Sequence, residues 1–225
     1  MGQVVYGNMT SLANSALLSA TYLGPVQYFT KFLLYDTIYL EVEENYQKQS
    51  YRNRCIILSA NGVLPLTIPV TRDRPKELTR DIRIDNTLEW QKNHWTSIES
   101  AYSSSPFFEF LADDFAPFYR KTYRFLLDFT MPLLEMVLAH LEIHTPVKLT
   151  EKYRKETDPS LDDMRDMIHP KRRMQKPDPA FEPTFYYQVF QTRYGFVPNL
   201  SIIDLLFNEG ANAENVLKES IAGMA

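Results

Sequence analysis

The chain has 225 residues and a formal net charge of −4, with 44% hydrophobic and 23% charged residues. This composition is typical of a globular protein, and the negative charge disfavours a general nucleic-acid binder, which needs a positive field. The single cysteine excludes an internal disulfide and a cysteine-built zinc site. No apolar run reaches the roughly 18 residues that span a bilayer, and residues 1–14 lack the pattern of a signal peptide. We therefore expect a cytoplasmic protein.

The first predicted elements form a β-α-β unit. Residues 16–20 are an apolar run that predicts a buried strand, and Pro25 suits the first turn of a helix. Residues 37–43 alternate β-formers with polar residues, which indicates a second strand. Strand, helix and strand in succession favour a parallel pair joined by a crossover. Apolar residues at helical spacing predict the helix between them: Val26, Phe29, Phe32 and Leu33.

A β-hairpin is predicted next. Residues 52–58 and 63–70 are rich in β-formers, and Asn61-Gly62 between them is a strong turn signal because both residues tolerate a positive φ. Residues 81–84 predict one further short strand. The sheet is therefore expected to be mixed and partly parallel.

Helices dominate the chain from residue 87. The first is predicted because Trp95 and Ile98 fall on one face at helical spacing. A second is predicted over residues 106–115 and a third over residues 121–142. Within the third, Pro132 either kinks the helix or begins a new one.

The chain closes with another predicted helix, over residues 200–207. Ser201 and Asp204 are spaced as a capping box at its start, and Gly210 follows as a C-terminal stop. The predicted fold class is α/β, with a mixed sheet followed by a mostly helical C-terminal half.

A charged segment separates the two halves. Sixteen of the 33 residues in 151–183 are charged and five are proline, so we expect a loop or lid that builds no core. The predicted organisation is a single domain. In it, residues 1–150 form an α/β core with a helical extension, and residues 184–225 form helices that pack on that core.

The polar run at residues 46–54 is the leading candidate site. Read as an extended chain, Lys48, Arg52 and Arg54 fall on one face, and Tyr51 and Asn53 on the other. Three cations on one face suit a phosphate or carboxylate, because arginine presents a planar fork of donors. The alternative is a solvated strand edge with weak surface ion pairs.

His94 is the candidate catalytic base, since the pKa of histidine lies near neutrality. The alternative is a packed histidine with a backbone partner. The turn at residues 19–25 follows the first strand, where ligands bind in open α/β sheets, although an ordinary turn would look the same. No nucleophile or metal-ligand motif stands out, and Cys55 predicts an inert buried thiol. Five tyrosines complete the predicted ligand-binding set: Tyr22, Tyr28, Tyr46, Tyr51 and Tyr102.

Six groups of residues stand out by their order and spacing: 22–29, 46–57, 66–70, 90 with 94–95, 101–108 and 200–210. Together they resemble the WbqC-like family of bacterial proteins. Many members of this family carry His-Gln-Pro where this chain has Ala20-Thr21-Tyr22 or its neighbours, so a catalytic histidine at that place would be absent here. Arg52, Asn53, Arg54 and His94 match the family pattern.

The resemblance implies a place in the synthesis of bacterial surface polysaccharide and O-antigen. It implies a group-transfer enzyme that moves an acyl or aminoacyl group, with a nucleotide-linked sugar or an activated acyl donor as ligand. Neither the residues nor the resemblance names a cofactor. The alternative is a non-catalytic accessory protein of a polysaccharide-assembly complex, which would bind a protein partner. RNA binding through the basic run and Tyr51 is disfavoured by the overall negative charge.

Overall fold

The structure is a computed structural model that describes residues 14–153 and 161–223. Two segments lie outside the described part: residues 1–13 and residues 154–160 of the charged segment. The first of them includes most of the N-terminal stretch that lacks the pattern of a signal peptide. Within the described part, no helix has both the length and the apolarity to cross a membrane.

The described residues form eight β-strands and seven α-helices. The strands are β1 (Ser15–Ser19), β2 (Thr37–Glu41), β3 (Arg54–Ser59), β4 (Gly62–Thr67), β5 (Val70–Thr71), β6 (Arg83–Ile84), β7 (Val147–Leu149) and β8 (Leu161–Asp163). The α-helices are α1 (Val26–Leu34), α2 (Trp90–Tyr102), α3 (Phe108–Phe115), α4 (Leu126–His140), α5 (Gln191–Tyr194), α6 (Ile202–Glu209) and α7 (Ala213–Glu219).

The main sheet is parallel and has four strands in the order β7-β2-β1-β8. β1 and β2 pair from Ser15 opposite Thr37 to Ser19 opposite Glu41, with α1 between them, so the predicted β-α-β unit is confirmed. Two antiparallel pairs, β3–β4 and β5–β6, lie outside this sheet. The predicted α/β class, with a mixed set of strands and a helical C-terminal part, is confirmed.

Three element boundaries differ from the prediction. Residues 63–70 do not form one strand, because pairing stops after Thr67 and resumes at Val70. α2 begins at Trp90 rather than at residue 87, and α4 runs from Leu126 to His140 with Pro132 inside it, so this proline does not begin a new helix.

The expectation that the charged segment builds no core is wrong for residues 161–163. They form β8, which pairs with β1 from Ser15 opposite Leu161, and Leu161 is buried. The charge beyond the strand is accommodated because Arg165 binds Asp163 and Glu41. Charged residues can be buried when each has a partner of opposite sign.

The predicted capping box of α6 is also wrong, although the predicted bounds are close. The Ser201 Oγ donates to the backbone oxygen of Leu23, and the Asp204 carboxylate accepts from buried tyrosines instead of from the helix start. Every residue of α6 from 202 to 208 is buried. Such a helix belongs to the interior, so tertiary partners replace the local cap.

Gly210, which ends α6, gives a prediction about backbone strain. Its φ is +53°, and a Cβ there would lie 2.6 Å from Phe107 Cγ. Gly210→Ala should therefore lower the free energy of unfolding by more than the strain alone, which is about 1–3 kcal/mol. Gly195→Ala is the matched control, since φ is +69° there but no atom lies within 4 Å of the added Cβ. Equal losses for the two variants in urea denaturation would contradict the clash.

Candidate functional site

The polar run at residues 46–54 is not extended. It forms turns, with φ of +59° at Gln49, and only Arg54 lies in a strand. Consequently Lys48 is exposed, Arg52 is buried and Arg54 is half-buried. The expected common face of three cations is wrong, because the turns send these side chains to different surroundings.

Arg52 lies at the carboxyl end of the main sheet. Its Nε donates to Glu44 Oε1 at 2.7 Å, and its Nη2 donates to Glu44 Oε2 and to Ser19 Oγ, both at 2.7 Å. Ser19 is the last residue of β1, and its backbone oxygen accepts from Tyr28 Oη at 3.0 Å. The turn after β1 and the predicted basic run are thus joined, with Arg52 only 4% exposed.

This end of the sheet is also where the strand order reverses. From β1 the chain continues to β2 and β7 on one side, whereas β8 lies on the other side of β1. Ligands of open α/β sheets bind at such a reversal. Here it is filled by a second buried ion pair, in which Arg165 Nη1 donates to Glu41 Oε2 at 3.0 Å, and Thr150 Oγ1 donates to Glu41 Oε1 at 2.7 Å.

His169 is a neighbour of this network that the sequence did not indicate. The residue is 6% exposed, and its Nδ1 accepts from the backbone N–H of Lys171 at 3.0 Å. Burial, followed by the charges of Arg52 and Lys171, lowers its pKa. A single histidine in a charged segment carries no spacing signal, so only the fold brings it to Arg52.

His94 lies on α2, away from the sheet edge. Its Nδ1 is 3.1 Å from Tyr22 Oη, which in turn is 2.8 Å from Tyr119 Oη. Burial lowers the pKa of His94 to about 4, and a hydrogen bond with the Thr67 backbone opposes this shift. The ring is therefore neutral at pH 7 and is oriented by Tyr22 on one side and by Thr67 on the other.

A cavity of about 480 Å³ opens beside His94. Arg54 Nε donates to Thr67 Oγ1 in its wall at 3.0 Å, and Asn53 Nδ2 donates at 2.7 Å to the backbone oxygen of Ile68, a fully buried residue that follows Thr67 in the chain. Its volume falls in the range of small-molecule sites. Of the predicted site residues, His94 lines this cavity, whereas Arg54 and Asn53 lie outside its lining and bind Thr67 and Ile68. The cavity is lined by Thr67, Pro69, Thr87, Leu88, Glu89, Trp90, Asn93 and His94.

The other predicted tyrosines lie elsewhere. Tyr46 and Tyr51 are buried in the loop before β3, and burial raises the pKa of each to about 12. Tyr102 donates to Asp204 Oδ1 at 2.8 Å, in a cluster apart from both the sheet edge and the cavity. Cys55 is fully buried, and burial raises its pKa to about 12, so its thiol stays protonated at pH 7.

The Asp204 cluster was missed because its sequence spacing resembles a helix cap. Tyr186 Oη donates to Asp204 Oδ2 at 2.8 Å, and Gln188 Nε2 donates to the same oxygen at 2.9 Å. Burial raises the pKa of Asp204 to about 6, and the hydrogen bonds from Tyr186, Tyr102 and Gln188 oppose this shift. Among the described residues no cation bonds to Asp204, and the cluster ties α6 to α2 and to the loop before α5.

The fold and these contacts define an α/β protein with a charged sheet edge and a separate cavity beside a neutral histidine. The model of the WbqC-like protein family matches residues 20–174, so the chain belongs to this family and the resemblance is confirmed. The chain is also 27% identical over 225 residues to a protein described as "Uncharacterized protein Rv1507c" from Mycobacterium tuberculosis (strain ATCC 25618 / H37Rv), an alignment that covers 90% of this chain and 96% of the relative. No solved structure matches the chain.

Proposed function

We propose that this WbqC-like protein is a group-transfer enzyme that moves an acyl or aminoacyl group in the synthesis of bacterial surface polysaccharide. The observation that carries the proposal is the cavity beside His94, because its wall contains the predicted base together with Thr67, whose hydroxyl accepts a hydrogen bond from Arg54. The reaction would take place in the cytoplasm, with a nucleotide-linked sugar or an activated acyl donor as the ligand.

Arg54 is the proposed anion-binding residue of this cavity. Its Nε binds Thr67 Oγ1, and no other hydrogen bond or ion pair of its guanidinium occurs among residues 14–153 and 161–223. The remaining N–H groups are free to bind a donor phosphate, for which a guanidinium is well shaped. Asn53 Oδ1 is buried without a hydrogen-bond partner among the described residues, and Asn53 lies outside the lining of the cavity, so its proposed role is to hold Ile68 beside the Thr67 wall through Nδ2.

His94 is the proposed base. A nucleophilic oxygen or nitrogen of the acceptor would form a bond to the acyl carbon, the bond to the leaving group would break, and the acceptor proton would pass to the ring. A ring that is neutral at pH 7 can take this proton. The proton goes to Nε2, which is free to take it only in the tautomer whose Nδ1 carries the ring hydrogen and donates it to Tyr22 Oη, so the contact of His94 with the Thr67 backbone must be replaced by the substrate.

Thermal unfolding with a panel of nucleotide sugars and acyl-coenzyme A compounds tests the proposal. A true donor at 100 times its dissociation constant should stabilise the protein by about 2.7 kcal/mol. Arg54→Ala should remove most of this gain, and His94→Gln should remove turnover but keep binding. Lys218→Ala, an exposed cation on α7, should change neither. Stabilisation that survives Arg54→Ala, or turnover that survives His94→Gln, would sink these assignments.

A non-catalytic accessory role is the second candidate. It is favoured by two observations: His94 is hydrogen-bonded on both sides, and the side chains of Phe110 and Phe185 are 78% and 65% exposed. Large exposed aromatic side chains are typical of contact surfaces. In limited proteolysis, an enzyme of the same assembly should then protect residues 151–183. Unchanged cutting with every candidate partner would count against this role.

A further inference from the structure

A second pocket, of about 450 Å³, lies on a different part of the molecule. It is bounded by the loop after β5, by the 3₁₀ turn Thr79–Asp81, by β6 and by Phe125 at the start of α4. None of its residues belongs to the cavity beside His94 or to the Arg52 network. The lining residues are Asp73, Arg74, Lys76, Glu77, Leu78, Arg80, Asp81, Arg83 and Phe125.

The cations of this pocket are only partly neutralised. Arg80 pairs with Glu43 and lies 3.8 Å from Asp81, and Arg83 Nη1 lies 3.2 Å from Asp73 Oδ2. Arg74 and Lys76 are exposed. Neither forms an ion pair or a hydrogen bond with any part of the chain that the structure describes. The lining holds four cations and three carboxylates, so its positive charge rests on the two unpaired side chains, Arg74 and Lys76.

Arg83 supplies the more specific signal. Its Nε is buried and has no hydrogen-bond partner among the described residues, although Nη1 of the same guanidinium faces Asp73. A buried N–H without an acceptor is unfavourable, and native proteins rarely retain one. The Arg83 side chain as a whole is 43% exposed, so a rotation of its guanidinium would present this N–H to an acceptor oxygen of a molecule in the pocket.

We propose that this pocket binds the phosphate group of a small phosphate ester, with Arg83, Arg74 and Lys76 as its ligands. A phosphate offers several acceptor oxygens with high negative charge, which matches a guanidinium fork together with two free cations. The Phe125 ring gives the rest of such a molecule an apolar wall, and Arg124 lies over that ring at 5.1 Å from its centroid. The site does not depend on the proposed transfer reaction.

Isothermal titration with inorganic pyrophosphate tests the inference on the full chain. The double variant Arg74→Ala/Lys76→Ala should bind at least about tenfold more weakly, since two charge-assisted contacts are lost. Arg83→Lys keeps the charge but removes Nε, and it should also weaken binding about tenfold. The charge-matched control is Lys152→Ala/Lys218→Ala, two exposed cations outside the pocket, which should leave binding unchanged.

Three results would overturn the inference. Equal weakening by the control pair would mean that pyrophosphate responds to overall charge alone. Citrate binding as tightly as pyrophosphate would replace the phosphate assignment with a general carboxylate site. Binding that depends on Arg54 rather than on Arg83 would move the anion to the cavity beside His94, which would refute this pocket and leave the proposed donor site standing.

Discussion

Replacing Arg52 by alanine is expected to lower the free energy of unfolding by about 3–5 kcal/mol. The reason is that Glu44 keeps its carboxylate in a buried place, with a side chain only 7% exposed, after both of its guanidinium contacts are lost. Ser19 Oγ loses its donor as well. Breaking one partner of a buried ion pair costs more than the pair itself contributes, because an unpaired charge remains.

Urea denaturation at pH 7 measures this effect, and two variants control it. Arg54→Ala removes a neighbouring arginine that is half-buried and bound to a single hydroxyl, so the change should be within about 0.5 kcal/mol. Adding Glu44→Ala to Arg52→Ala removes the stranded charge and should recover part of the loss. A cost below about 1 kcal/mol for Arg52→Ala would mean that the pair is solvated.

The second large effect is that two buried groups, His94 and Asp204, change the free energy of unfolding in opposite directions as the pH changes. The pKa of His94 is lowered to about 4, so the unfolded chain, where the pKa is 6.5, binds the proton more tightly. Stability from His94 is therefore fully present above pH 6.5 and is lost as the pH falls to about 4. The loss amounts to about 3 kcal/mol, from 1.36 kcal/mol per pKa unit.

Asp204 contributes with the opposite sign. Its pKa is raised to about 6 from 3.8, so the folded protein binds the proton more tightly than the unfolded chain. Stability from Asp204 is greatest below pH 4 and is lost as the pH rises through about 6, by about 3 kcal/mol. Between pH 4 and 6 the contributions of His94 and Asp204 should largely cancel.

Single variants should separate these two contributions. Chemical denaturation from pH 4 to pH 7 measures the free energy of unfolding of each variant. For His94→Gln this free energy should fall as the pH rises, and for Asp204→Asn it should rise. The difference between each variant and the parent chain gives the slope contributed by the missing group. If both variants keep the parent slope, neither residue titrates as its burial requires.

Local patterns predict those elements whose partners are close in sequence. The β1–α1–β2 unit and the β3–β4 hairpin follow from apolar runs and from the turn signal at Asn61-Gly62, and the structure contains both. β8 was not predictable in this way, because its charged surroundings are balanced by Glu41, which is 124 residues from Arg165. No local window contains both charges.

The sequence predicted where in the chain the candidate site lies, but not how its side chains are oriented. The sequence indicated Arg52 and the turn after β1, and Ser19 does bind Arg52. A positive φ at Gln49 rotated Lys48, Arg52 and Arg54 apart, and no pattern of residue types signals that conformation at a glutamine. The contact of His94 with Tyr22 spans 72 residues, and that of Tyr102 with Asp204 spans 102, so each depends on the tertiary fold.

Because β8 pairs with β1, the main sheet cannot be completed until late in the synthesis of the chain. β1 acquires its partner β2 early in synthesis, but its other edge pairs with residues 161–163 and stays open until they have left the ribosome. During that interval the nascent chain presents an apolar strand, Ala16 to Leu18, with unpaired backbone groups. Exposed strand edges are sites of mispairing between chains. The charged segment thus supplies, late in synthesis, the strand that closes the sheet.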